Sequence, residues 1–194
     1  MKFFGGRKMR IVLASKSPRR RELLSLLYSD FEIEVADCDE SLPDDTPVER
    51  GVEILALRKG RAVLPKCADA LVISSDTLVE LDGVALGKPS DDCDAFRMLK
   101  SLSARINYVH TGVAVHYRGR VASGVATTAV KFRELSDEEI WEYVKTGEPR
   151  DKAGAYGIQS GAGHFVESID GDFDTVVGLS TRLLKRLIDE VSDK

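Results

Sequence analysis

Apolar and polar positions along the chain alternate in two rhythms, and the switches between them mark out the elements. Arg10 to Ala14, "RIVLA", is a short apolar run that reads as a buried strand. It feeds into Ser17, a good N-cap, and Pro18, which suits the first helical position, so a helix is predicted from there with Leu23, Leu24, Leu26 and Leu27 as its buried stripe. A second strand is predicted near Phe31 to Ala36, ending in the acidic stretch "DCDESLPDD". Thr46, Pro47 and Glu49 read as a capping box with proline at the first position, opening a helix that runs to about Leu64. Ala70 to Leu81 has the β-branched density of a central strand, and Asp82-Gly83 turns it into a hairpin. Ser90 opens a helix with aspartates in its first turn, where the helix dipole favours them. Tyr108–Tyr117 and Val121–Phe132 are two long strands joined at "RGR". Ser136 and Glu139 form a second capping box, and Gly147 and Pro149 close that helix. A glycine-rich loop occupies residues 153–163, and the last helix begins near Ser180. With no repeats and no low-complexity linker, the pattern predicts one mixed α/β domain over residues 10–194 behind a short, frayed extension at residues 1–9.

Composition narrows the classes. A chain of 194 residues fits one domain, of one or two lobes, with a real core. Its net charge of −4 argues against non-specific or stable nucleic-acid binding while leaving room for a local basic site. Three widely spaced cysteines without a C-x-x-C pair suit a reducing compartment, and the three histidines show no ligand spacing for zinc. No apolar run reaches the ~18 residues of a membrane span, and the leading "MKFFGGRKMR" lacks the apolar core of a signal peptide. The expectation is a cytoplasmic protein without a membrane partner.

The charge pattern of "SKSPRRRELLSLL" raises the first chemical question. Arg19, Arg20 and Arg21 crowd the helix end that already carries about half a positive charge. At 100° per residue, Arg19 and Arg20 fall within roughly 60° of the centre of the leucine stripe, whereas Arg21 points roughly 140° away. Arg19 and Arg20 should therefore lean inward and Arg21 should be solvated. A strand, a serine-rich turn and a helix together receive a phosphate through backbone N–H groups and the dipole, with Ser15 and Ser17 adding hydroxyls. The bland alternative is a solvated basic helix end. A Walker-type loop is absent.

Asp76 stands inside the apolar strand "VISSDTLV", where a carboxylate is costly unless it meets a cleft, a cation or a metal. It reads either as a structural aspartate or as a general base or metal ligand. Lys88 in "LGKP" and Lys59, beside Arg58 and Arg61, are unremarkable alone. "DCDE" (Asp37 to Glu40) is either a solvated loop or a holder of a hard cation. "DGDFD" lacks the glycine and glutamate of a calcium loop. Taken together, cations, an acidic loop and a strand carboxylate are what metal-assisted phosphoryl chemistry needs.

At this point a resemblance emerges. "LASKSPRRRELL", "SSDTLV", "LGKP", "LSDEEI" and "DKAGAYGIQ…FVESIDGDFDTVVGL" resemble the Maf family of nucleoside triphosphate pyrophosphatases, in order and with compatible spacing from Ile11 to Leu187. The resemblance implies an elongated, two-lobed α/β fold similar to inosine triphosphate pyrophosphatases, with a mixed sheet, flanking helices and a central nucleotide cleft. It implies metal-dependent hydrolysis, with Mg²⁺ or Mn²⁺, between the α and β phosphates. The aspartate-threonine pair after the strand and "AYGIQ" resemble the branch directed at dTTP and UTP rather than 7-methyl-GTP. Carried over by motif, Asp76 matches the proton acceptor, and Arg19, Thr77 and Gln159 match positions of base selectivity. Glu40, Lys59 and Lys88 match the phosphate and metal site. An amide such as that of Gln159 can read the donor and acceptor edge of a pyrimidine.

The resulting expectation is a triphosphate along the Ser15–Arg20 turn, neutralised by Arg20, Lys59 and Lys88. A metal is held by Glu40 and Asp76, and Asp76 activates water. The family also suggests a homodimer. A nucleotide-binding regulator of septum formation with little turnover is the alternative. Three departures from the family pattern stand out: Ser74 and Ser75 before the aspartate, Asp39-Glu40 as the acidic pair, and Ser180 where proline is common.

Overall fold

The computed structural model describes residues 3–4 and 7–192, with side chains from Met9 onward. Phe3–Phe4 (β1) and Arg7–Lys8 (β2) pair antiparallel. Ile11–Leu13 (β3) is buried throughout and is followed by the helix Pro18–Ser25 (α1) and the short strand Glu32–Ile33 (β4). Val48–Val63 (α2) leads into Leu71–Leu81 (β5), which turns at Asp82-Gly83 into Val84–Leu86 (β6). Asp92–Leu102 (α3), the strands Ile106–Tyr117 (β7) and Arg120–Phe132 (β8), and Asp137–Lys145 (α4) come next. After a run of short 3₁₀ turns the chain finishes with Val166–Asp170 (β9), Phe173–Val177 (α5) and Thr181–Ser192 (α6).

The main sheet has seven strands, in the order β4-β3-β5-β7-β8-β9 with β6 on β5. It is mixed: β3 pairs parallel with β4 and β5, while β6 and β9 pair antiparallel with β5 and β8. The turns between β5 and β6 and between β7 and β8 each have two residues at positive φ (Asp82 54° and Gly83 79°; Arg118 50° and Gly119 77°), the twist that joins tightly coupled strands. The architecture is the mixed α/β class that the hydrophobic rhythm predicts.

Four predicted boundaries move, each for a local reason. α1 stops at Ser25, because Leu26 and Leu27 donate back to Leu23 and Leu24 in a tightened last turn (3.3 and 2.9 Å). That rewinding leaves Leu26 74% exposed, so Leu23 and Leu24 alone form the buried stripe. α2 has Pro47 as its N-cap with no side-chain bond, and Thr46 sits one residue too early to cap it. β4 is two residues long, since Ile33 and Val35 are exposed and offer no buried face to extend the pairing. α3 is capped by Asp91 rather than Ser90, with the Asp94 N–H donating to the Asp91 carboxylate (2.7 Å). The Ser136–Glu139 capping box forms in both directions, and the Ser180 hydroxyl caps α6 by accepting from the Leu183 N–H (3.3 Å).

The chain falls into two compact units. The first comprises the chain up to Asp76, Thr111–Ala126 and the segment from Gly178, and part of its core is Val12, Ala14, Val63, Cys67, Ala70 and Val72. The second comprises Thr77–His110 and Thr127–Val177, with a core built around Phe132, Phe165, Leu99 and Ile140. β5, β7 and β8 each begin in one unit and end in the other.

Candidate active site

In the first unit, β5 is buried on both faces, so three polar residues in succession are buried: Ser74, Ser75 and Asp76. The two serines are fixed by their own hydrogen bonds. Ser74 Oγ donates to the Ala56 carbonyl of α2 (2.7 Å), and Ser75 Oγ donates to the Gly178 carbonyl (2.7 Å). Their hydroxyls serve as staples between β5, α2 and the chain entering α6.

α2 approaches closely because Gly60 lacks a side chain. A Cβ there would lie 2.6 Å from the His116 ring and 2.8 Å from Ser74 Oγ. The residue before it, Lys59, is thereby brought onto the strand carboxylate. Lys59 Nζ lies 2.5 Å from Asp76 Oδ1 and 3.2 Å from Glu40 Oε1. The Lys59 and Asp76 side chains are 13% and 9% exposed, so this pair is largely desolvated, whereas Glu40 is 62% exposed. A buried carboxylate is tolerable here because an ammonium pairs with it.

The acidic loop separates its two acids by function. Asp39 is absorbed in its own turn, accepting from the Ser41 N–H and hydroxyl (both 2.8 Å), and these bonds hold its carboxyl below the usual range. Arg58 donates to the Asp39 and Ser41 carbonyls (3.2 and 2.6 Å), which braces the loop. Glu40 is left as the acid that faces Lys59. Cys38 beside it is half-buried, and burial pushes its thiol up, away from reactivity.

At α1 the predicted ordering of the arginines appears: Arg19 and Arg20 are half-buried and Arg21 is exposed. Ser17 caps the helix by accepting from the Arg20 N–H (3.4 Å), and Ser15 Oγ accepts from the Ser17 N–H (3.2 Å). Arg20 Nε donates to the Gly178 carbonyl (2.9 Å). Burial pushes its guanidinium down, and the negative charge of Asp76 pulls the other way, so Arg20 belongs electrostatically to the same cluster. One carbonyl, that of Gly178, thus takes both Arg20 and Ser75. Sequence reasoning misses Gly178, since a backbone acceptor leaves no side-chain signature.

In the second unit, Thr77 follows Asp76 along β5 and is half-buried. Lys88 is exposed in the loop after β6, whose Gly87 carbonyl accepts from the Gly154 N–H (3.0 Å). Gln159 is exposed at the crest of a turn in the glycine-rich loop. The structure therefore joins Glu40, Lys59, Asp76 and Arg20 through contact and charge, and shows no such bond linking Lys88 to Gln159. Among the described residues, no group of three His, Cys, Asp or Glu side chains converges as a ready-made metal cage. Glu40 and Asp76 meet instead across one ammonium.

The Maf-like protein family matches residues 10–191. The chain belongs to that family. Its Maf-like relatives include the dTTP/UTP pyrophosphatase of Thermococcus gammatolerans, 50% identical over 177 residues, 91% of this chain and 94% of that one. Those of Moorella thermoacetica (49%, covering 92% and 93%) and Bacillus velezensis (44%, covering 95% and 98%) are similar in the same way. Among solved structures, protein VC0702 from Vibrio cholerae aligns over 95% of this chain and 96% of its own, at 13% identity and a TM-score of 0.49.

Proposed function

We propose that this Maf-like protein is a nucleoside triphosphate pyrophosphatase that hydrolyses the α–β phosphate bond of dTTP and UTP to the nucleoside monophosphate and pyrophosphate. Relatives of 44–50% identity carry that name over nearly their full length. The observation that carries the chemistry is the desolvated Asp76–Lys59 pair with Glu40 on the same ammonium and Arg20 alongside.

The roles follow from that arrangement. The triphosphate is received at the N-terminus of α1, where the helix dipole favours an anion. Ser15 and Ser17 accept backbone N–H groups through oxygen, so their hydroxyl protons remain for phosphate oxygens. Arg20 and Lys59 neutralise charge that develops on the phosphates, the electrostatic contribution that preorganised donors supply best in a desolvated site. Lys59 engages Asp76 at Oδ1, which leaves Oδ2 to take the proton of the attacking water. The family resemblance adds a phosphate contact at Lys88 and base reading at Arg19, Thr77 and Gln159.

Glu40 and Asp76 would hold a divalent cation, Mg²⁺ or Mn²⁺. The fit is one of donor chemistry, since two hard carboxylates already converge on a cation, and Mg²⁺ draws its remaining ligands from water and phosphate. Such an ion, when bound, polarises phosphate oxygens and offsets their charge. The reading also takes the protein as a cytoplasmic homodimer, and its free cysteines suit a reducing compartment.

The test is pyrophosphate release from dTTP, UTP, CTP, GTP and 7-methyl-GTP with Mg²⁺, repeated with Asp76→Asn. Turnover of dTTP and UTP that falls about 10²–10⁴-fold in the variant is expected for loss of a base. Tight nucleotide binding without turnover would replace the enzyme with a nucleotide sensor, and an Asp76→Asn variant of near-normal rate would remove the base assignment.

A further inference from the structure

The glycine-rich loop that carries Gln159 is held by a set of contacts that the chemistry above does not use. Residues 157–160 form a turn closed by the Ser160 N–H donating to the Gly157 carbonyl (3.3 Å), with Ile158 and Gln159 at its centre. Both ends of this turn lead to one carboxylate. Glu148, in the 3₁₀ turn Glu148–Asp151 after α4, accepts from the Ser160 hydroxyl and from the Gly161 N–H (3.2 Å). It also accepts from the Tyr143 hydroxyl (2.9 Å), whose oxygen in turn accepts from the Gly157 N–H (3.2 Å).

The fit leaves no slack. A Cβ on Gly157 would lie 2.8 Å from Ser160 Oγ and 3.0 Å from Glu148 Oε1, and one on Gly161 would lie 3.0 Å from the Tyr143 ring. Tyr143 is buried and belongs to the core of the second unit, so the clamp stands on a rigid base. Burial alone would raise Glu148, but the hydrogen bonds from Ser160, Tyr143 and Gly161 outweigh it and keep the carboxylate charged. Just before the turn, the buried Tyr156 donates to Asn107 Oδ1 (2.9 Å), so the chain enters the turn from a fixed point.

We propose that Glu148 and Tyr143 are positioning residues for base selection, clamping both ends of the Gln159 turn so that its amide meets the edge of a uracil or thymine base. This rests on the reading of Gln159 as the base contact. An exposed amide on a free turn discriminates poorly, since a side chain displaced by about 1 Å can lose ~10²-fold of its effect. A carboxylate suits the task because all its partners here are donors. Glu148→Gln keeps the size but replaces a charged carboxylate that accepts at both oxygens by a neutral amide that accepts at one end only.

The experiment measures kcat and KM for UTP and CTP in the full-length protein and in Glu148→Gln and Tyr143→Phe, together with amide hydrogen exchange across residues 157–161. The clamp predicts a UTP-over-CTP ratio of kcat/KM that falls about tenfold or more in Glu148→Gln, mainly through a higher KM for UTP. Tyr143→Phe shifts it less in the same direction, and the Gly157 and Gly161 amides exchange faster. A uniform loss on both nucleotides with the ratio intact would overturn the proposal, as would unchanged exchange. A wild-type protein that does not distinguish UTP from CTP would refute the base-reading role of Gln159 itself, a separate outcome visible before any variant is made.

Discussion

Removing the ammonium that joins the two carboxylates is the most direct perturbation of the site. Lys59→Met retains most of the stem and deletes the charge 2.5 Å from Asp76 Oδ1 and 3.2 Å from Glu40 Oε1. Breaking a fully buried pair by removing one partner costs about 3–5 kcal/mol. Here Glu40 is 62% exposed and can turn to water, and Arg20 still faces Asp76, so the expected loss is about 2 kcal/mol. For a protein of this size that lowers the melting temperature by about 4–8 °C. Asp76→Asn alone costs less, about 1 kcal/mol, because Lys59 keeps Glu40. The double variant leaves neither charge stranded, so the two losses should fall short of additivity by about 1–2 kcal/mol. Urea denaturation of the four proteins at pH 7 measures this coupling, and pyrophosphate release from UTP measures function. The expected drop in kcat/KM for Lys59→Met is about 10²–10³-fold. Losses that add within about 0.5 kcal/mol would show that the pair is not coupled, and the electrostatic account of the site would fail with it.

Other consequences are open to equally simple measurements. Gly60→Ala should destabilise the protein by about 1–3 kcal/mol through overpacking against His116 and Ser74, and it should lower kcat by displacing Lys59; a neutral alanine would show that α2 has room the geometry denies. Arg20→Ala should raise KM for the triphosphate about tenfold or more, whereas Arg21→Ala should stay within about 0.5 kcal/mol in stability and leave kinetics alone. A reversed order in nucleotide titrations would contradict the assigned helix faces. His116 is buried, and burial, with Arg61, pushes its imidazolium down from the ordinary value of 6.5. The unfolded chain then takes up a proton that the folded chain refuses, so stability is full above that value and declines as pH falls from it towards the lowered folded value. Denaturation curves from pH 8 to pH 5 should show this decline, and His116→Gln should flatten it.

The sequence made the elements legible wherever the signal was local. The Ser136–Glu139 box, the Asp82-Gly83 and Arg118-Gly119 turns, and the split between Arg19–Arg20 and Arg21 follow from residue spacing, and the structure has each of them. What escaped was set by tertiary context. Leu26 looks like core by periodicity, but the helix tightens just before it and turns it outward. Thr46 has the chemistry of a cap but lies one residue before the cap position of α2. In the site, the charge pattern made Asp76 and Arg20 visible as candidates, whereas Lys59 and Glu40 stood out only through the family resemblance. The division of labour between Asp39 and Glu40 was not, because it depends on Asp39 bonding to Ser41. Glu148 reads in the sequence as one more surface acid after a helix, and only the folded loop brings three donors to it.

The Gly178 carbonyl bears on how the protein comes into being. It accepts from a residue 158 positions earlier and from another 103 positions earlier. On a ribosome, Arg20 and Ser75 are therefore made long before their common acceptor exists. Helix α1 can wind and β3 can find β5, but the guanidinium and the hydroxyl wait for a stretch of chain made more than a hundred residues later. Contacts of such separation slow folding. They also make completeness a condition of competence, since a polypeptide released before Gly178 lacks the acceptor that holds Arg20 and the strand of Asp76 together.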